Sequence, residues 1–352
     1  MTARPQPPAL SPRVRALLDA ARACAALYVV AHHVAKGYGF PGLTGHLLRF
    51  GQEAVIVFFL LSGFVIFANE RVRALSPRGY AWRRVRRIYP PLIVAMIVST
   101  LVYWDNGTLA RHFDAGRLIG TLLAVQDVST LKPGVWADPY LGNDPLWSLS
   151  YEIAFYIIFP PTLVLWTKRP ALTTHAVGAI GCGAYALFAM VPNHLALVIA
   201  YYPLWWAGAM AAQAYLDGGR TVRAIAVPLA WLVALCGVAL VVALVQPRYG
   251  IGVYPILPLR HFVVAAVVVA VMFGPVGRLM ARASAWSPAL WSGVASISYG
   301  LYVLHMPLLV DWQRAKGAGA SRWRWCCWSC SRGLWSGGCR VCCRGRRRAE
   351  ST

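Results

Sequence analysis

Apolar residues run along this chain in long unbroken stretches, not in the amphipathic stripes of a water-soluble helical protein. Nine stretches are read, near residues 16–36, 51–69, 89–104, 145–167, 171–191, 196–216, 224–246, 257–275 and 289–310. Most run for about 17–23 residues, enough as helix to cross a hydrocarbon layer about 30 Å thick. No two-residue alternation of a barrel is present. The predicted fold is therefore all-α, a polytopic transmembrane helical bundle with nine readable spans. The predicted division is a short tail over residues 1–15, the membrane domain over 16–310, and a compositionally odd tail over 311–352.

The polar residues between the stretches order them. Arg71, Arg73, Arg78, Arg83, Arg84, Arg86 and Arg87 follow the second stretch, Lys168 and Arg169 the fourth, Arg220 and Arg223 the sixth, and Arg278 and Arg282 the eighth. With the basic N-terminus, these are alternate connections. Positive charge in short connections marks the cytoplasmic side. The expected location is the cytoplasmic (inner) membrane, with the N-terminus inside. The run after Arg13 and Arg15 reads as a retained signal anchor, because the apolar pattern simply continues. Trp82, Tyr89, Trp104, Trp147 and Trp166 fall near stretch ends, as an aromatic belt does.

Composition agrees: 58% of the 352 residues are hydrophobic and 13% charged, against about 25% charged in soluble domains. The net charge is +22. On a soluble protein that would suggest nucleic acid. Here residues 312–352 supply ten Lys/Arg against one Glu, and most of the remaining excess lies in membrane connections, so a lipid bilayer is expected as partner and nucleic acid is not. Cys24, Cys182 and Cys236 stand singly in apolar stretches and read as small core residues.

The tail holds the other six cysteines, including Cys327-x-x-Cys330 and Cys339-x-x-Cys342, a spacing that elsewhere suggests zinc. Interleaved Arg and Trp make a small metal domain a poor fit, and no metal is expected. Charge alternation also asks for a tenth span where this tail stands. Codon arithmetic supplies a reason. Trp-Cys read one base out of register is always Val, and Cys-Cys or Cys-Trp is always Leu, so Trp325 to Trp328 hides Val-Leu-Leu. A shift of reading frame between about Leu309 and Trp323 is expected.

Candidate chemistry sits inside the apolar stretches, where ionisable residues are costly and suggest function. In "DAARACAALYVVAHH", Arg22 and His33 share one helix face about 16 Å apart along the axis. "YAWRRVRRIYPP" places Arg83, Arg84, Arg86 and Arg87 at a helix start, where guanidinium forks suit phosphate oxygens or anionic lipid. In "DPLWSLSYE", Ser148, Ser150 and Glu152 should face the bundle interior. Gly63 and Ser62 allow close packing, and His305 lies before Pro307 on the same side as His33. Plainer readings stay open: a snorkelling Arg, interfacial histidines, interhelical hydrogen bonds.

In order along the chain, these segments resemble the acyltransferase-3 family of bacterial multi-pass O-acyltransferases. "LDAARACAALYVVAHH", Leu18 to His33, is similar to the family's opening motif. Phe58 to Phe64 resembles its "FFxLSGF" core, Arg83 to Pro90 its "RRxxRIYP", Trp147 to Glu152 its "WSLSxE", and Ser298 to Pro307 its "SYxLYxLHxP". Two motif glycines stand here as Ala20 and Ala23, and Ile56 and Ile153 occupy positions often acidic. The resemblance implies transfer of an acyl group, commonly acetyl, from cytoplasmic acyl-CoA to a hydroxyl of a carbohydrate or lipid-linked glycan. It implies His33 as general base, with Arg22 and Glu152 beside it in the catalytic set and Arg83, Arg84, Arg86 and Arg87 toward the donor's phosphates. A transporter of small anions or glycan intermediates is the alternative, since an aligned Arg and His also suit a permeation route.

Overall fold

The computed structural model describes residues 10–40, 42–71, 76–246 and 250–314. The chain forms thirteen α-helices among these residues: α1 (Pro12–Gly37), α2 (Gly42–Leu47), α3 (Gly51–Glu70), α4 (Pro77–Asp105), α5 (Leu109–His112), α6 (Ala115–Leu122), α7 (Trp147–Lys168), α8 (Pro170–Met190), α9 (His194–Leu216), α10 (Ala226–Val245), α11 (Ile256–Met272), α12 (Pro275–Ser284) and α13 (Pro288–His305). A π-helical turn, Met306–Asp311, follows.

All nine predicted stretches are helical, but the count of spans changes. Among the described residues, seven helical stretches are long and apolar enough to cross a membrane, or eight if α11 and α12 form one span bent by 77°. The bend falls at Phe273–Gly274, before Pro275, which cannot continue the ladder. The first predicted span, α1, falls outside the seven, because Asp19, Arg22, His32 and His33 lower its hydropathy. The helix of the third predicted stretch, α4, begins at Pro77 and not near residue 89, so the arginine-rich segment forms its first turns, with Pro90 and Pro91 inside the helix. The predicted tenth span, the cysteine pairs and the change of reading frame concern residues outside the described set.

Side-chain size sets how closely the helices approach. Ala16, Ala20, Ala23 and Ala26 form a buried stripe on α1, which packs against α3 and α13. The α3–α9 contact is closer still. A Cβ at Gly63 would sit 1.9 Å from the Trp205 carbonyl oxygen, and one at Gly208 2.1 Å from that of Leu60. α9 is apolar on every side and buried almost throughout, as expected of a central helix.

Helix ends gather at two poles. At one, Tyr215 Oη donates to Ser11 Oγ (3.0 Å) and Arg71 pairs with Asp217 (3.2 Å), so the start of α1 meets the ends of α3 and α9. At the other, Tyr38 Oη donates to the Leu309 carbonyl (3.2 Å) and Asn106 Nδ2 to that of Asp311 (3.0 Å), joining the ends of α1 and α4 to the chain after α13. This up-and-down course places the arginines of α4 at the first pole, as the alternation of charge requires. Residues 123–146 fold over the second pole. There Leu141 and Gly142 both adopt left-handed φ (50° and 69°) and reverse the backbone just before Asn143 and Asp144.

Two positional expectations are corrected. Trp147 is buried between Phe59 and Tyr151 (ring centroids 6.1 and 5.3 Å) and is no belt residue. Cys24 is exposed on α1, not in the core.

Candidate active site

Two clefts open between α1, α3, α7 and α13, and α4 closes the first. Both clefts are narrow and partly open. Val55 and Tyr302 line both and form their common wall.

The first cleft collects Arg22 from α1, Ser62 from α3, Arg87 from α4 and Glu152 from α7. Glu152 accepts a hydrogen bond from Ser62 Oγ at 3.1 Å and a short one from Tyr156 Oη. These hydroxyls hold the carboxylate in place, and Arg22 feels both it and the Arg87 guanidinium electrostatically. Among the described residues, neither the Arg22 nor the Arg87 side chain donates a hydrogen bond. Two guanidiniums and one carboxylate among the lining residues leave an excess of positive charge at this cleft, which favours an anionic or strongly polarised guest.

The arginine cluster divides. Arg83 Nη2 and Arg84 Nη2 hold the two carboxylate oxygens of buried Glu70 at 2.7 and 3.0 Å, and the Arg84 guanidinium lies over Tyr80, 5.2 Å from the ring centroid. Arg86 is exposed. Of the four, only Arg87 reaches the cleft.

The second cleft is lined by His32, His33 and Lys36 of α1, Gln52 of α3, Asp144, Trp147 and Tyr302. His33 Nδ1 is 2.9 Å from the Val29 carbonyl oxygen and 3.2 Å from His305 Nε2. His32 turns aside, its Nδ1 2.5 Å from the Leu48 carbonyl oxygen. Tyr302 Oη donates to the Pro145 carbonyl (2.6 Å) and lies 2.8 Å from Ser148 Oγ, which ties the common wall to the start of α7.

Arg22 and His33 thus share a face of α1 but enter different clefts. Glu152 joins Arg22, not His33. The outer wall of the second cleft rests on a group that the sequence reading passed over. Lys132 and Asp127, both fully buried in the segment before α7, pair at 2.7 Å. Tyr151 Oη donates to Asp127 at 2.6 Å, and Lys132 Nζ lies 3.9 Å from the Trp147 ring centroid. Burial pulls the Lys132 ammonium below its ordinary pKa, and Asp127 works against that pull. Glu70 and Asp144 were also missed. Each is a lone acid beside an apolar stretch, and nothing local in the sequence tells such a residue from a surface charge. His305, by contrast, was named in the sequence from its "LHxP" segment.

The chain belongs to the acyltransferase-3 family: the family's sequence profile, described as an acyltransferase domain, matches residues 15–331. Among characterised proteins, it is 35% identical to the acyltransferase MdmB of Streptomyces mycarofaciens over 170 residues, 46% of this chain and 43% of the relative. It is 28% identical over 201 residues to nodulation protein 10 of Rhizobium leguminosarum bv. viciae (53% and 54%). It is also 28% identical over 178 residues to the peptidoglycan O-acetyltransferase OatA of Listeria monocytogenes (47% and 27%). The matched stretches span about half of these relatives' length or less. No solved structure matches the chain. With its seven or eight candidate spans, this is a multi-pass integral membrane protein.

Proposed function

We propose that this chain is a membrane O-acyltransferase. It moves an acyl group, acetyl in the first instance, from cytoplasmic acyl-CoA to a hydroxyl of a carbohydrate or lipid-linked glycan. One observation carries the reading. The cleft holding Arg22, Arg87 and Glu152 and the cleft holding His33 share the Val55–Tyr302 wall, so a donor in one and an acceptor in the other would meet there. Relatives named a peptidoglycan O-acetyltransferase and an exopolysaccharide production protein support a glycan acceptor.

In this reading the arginine-bearing pole is cytoplasmic, with the N-terminus inside. Arg86 and Arg87 take the donor's phosphates at the mouth of the first cleft, while Arg83 and Arg84, paired with Glu70, hold the start of α4. Arg22, oriented by Glu152, draws the thioester arm inward. At the shared wall His33 Nε2 accepts the acceptor's hydroxyl proton as its oxygen bonds to the acyl carbon. The C–S bond then breaks, and the CoA thiolate takes up that proton from His33. General-base assistance of this kind contributes roughly 10²–10⁴-fold. Mass spectrometry of surface glycans from cells with and without the gene tests the reading. An acetyl mass present with the gene and lost without it is expected, and identical glycans would refute the reading.

A further inference from the structure

We infer that His305 is a positioning residue for His33: it holds that ring as the tautomer whose free nitrogen faces the second cleft, and it supports the ring once protonated. The inference rests on the proposed acyl transfer and adds to it the partner through which His33 works.

The protons can be assigned from their partners. His305 Nδ1 lies 3.1 Å from the Leu301 carbonyl oxygen. A carbonyl only accepts, so this nitrogen carries the proton, and in the neutral ring Nε2 keeps its lone pair. That lone pair is 3.2 Å from His33 Nδ1. His33 Nδ1 also lies 2.9 Å from the Val29 carbonyl oxygen. Both neighbours of His33 Nδ1 are therefore acceptors, Nδ1 is the protonated nitrogen, and Nε2 is left as the basic one. A second histidine thus does for His33 what a carboxylate does for the histidine of a hydrolase triad.

The fold holds His305 for this task. It ends α13, where the helix gives way to the π-turn Met306–Asp311, a kind of irregularity concentrated at functional sites. Pro307 has no N–H to offer the Val303 carbonyl, which instead accepts from Asn143 Nδ2 at 3.0 Å. The helix end is thereby pinned to the segment over the second pole. The His305 side chain is buried, and its ring centroid lies 5.0 Å from that of His33. The other titratable and charged groups around His33 are His32 and Lys36 of α1, Tyr302 of α13, and Asp144 ahead of α7.

Two substitutions separate this role from simple packing. His305→Asn keeps a donor near Nδ1, able to reach Leu301, but removes the acceptor toward His33. His305→Gln places a carbonyl oxygen near the Nε2 position. CoA thiol release is measured on purified protein with acetyl-CoA and a chemically de-O-acetylated surface polysaccharide, across pH, alongside His33→Ala. The expectation for H305N is a kcat lower by roughly 10²-fold, an acetyl-CoA KM within about twofold, and an acidic limb of the pH–rate profile moved to lower pH, because the protonated His33 loses its acceptor. H305Q should recover most of the rate and return the limb toward wild type. If H305N does not accumulate, His305→Phe replaces it in the same comparison. Equal rates and pH limbs for the acceptor-lacking and acceptor-keeping variants overturn the inference. A fully active H33A would instead overturn the acyl-transfer reading beneath it.

Discussion

Ser62 Oγ donates to Glu152 Oε1 at 3.1 Å, so a serine in the most apolar part of α3 exists to hold a carboxylate on α7. That bond, with the one from Tyr156, fixes the anion that lines the first cleft with Arg22. Glu152→Ala should therefore lower acyl transfer at least tenfold, in the range of lost electrostatic positioning, with little change in membrane-inserted protein. Ser62→Ala should fall between wild type and Glu152→Ala. Quantified activity per unit of inserted protein checks both.

Glu70 makes a sharper distinction. It binds Arg83 and Arg84, and Arg87 lines the cleft instead. Arg87→Ala should raise the acetyl-CoA KM with protein levels unchanged. Glu70→Gln should act mainly on the fold, since it leaves two partly buried guanidiniums without their anion, a loss of roughly 1–3 kcal/mol. Thermal stability of purified variants beside their KM values separates the two effects.

Close approach of α3 and α9 depends on Gly63 and Gly208, where an added Cβ would meet the facing backbone at 1.9 and 2.1 Å. Neither backbone can swing aside as a flexible side chain would. Gly63→Ala and Gly208→Ala should each cost about 1–3 kcal/mol or more, seen as loss of monodisperse protein in size-exclusion chromatography after detergent extraction.

The Lys132–Asp127 pair is fully buried at 2.7 Å. Removing one partner leaves an uncompensated charge, worth about 3–5 kcal/mol. Lys132→Met should therefore destabilise strongly, and Lys132→Met with Asp127→Asn should recover part of the loss, because no lone charge remains. Melting temperatures of the single and double variants give the comparison.

The sequence showed which residues leave the lipid but not always what they meet. Gly63 could be read as a packing glycine because small residues in an apolar stretch have few other uses. Ser148 and Glu152 could be read as inward-facing because lipid tolerates neither. The shared face of Arg22 and His33 followed from helical period alone, yet their entry into separate clefts depends on Val55 and Tyr302, which come from other helices. Arg83 and Arg84 looked identical to Arg87, because nothing local in the chain announces that Glu70 folds against the first two. Lys132 was passed over because nothing local tells it from a loop charge, since its burial is created only when residues 123–146 close over the second pole. The nine stretches read and the seven or eight candidate spans differ partly at α1, where polar residues that define the candidate site depress the hydropathy by which a span is recognised.

Release of CoA thiol from acetyl-CoA by purified protein, with and without a de-O-acetylated glycan, bears most directly on the proposed chemistry. Wild-type protein should release CoA only when the glycan is present, and His33→Ala, folded and inserted to the same level, should lose that release by at least 10²-fold. Full release by His33→Ala would remove His33 as the base, and glycan movement across a vesicle membrane without CoA release would make the protein a transporter.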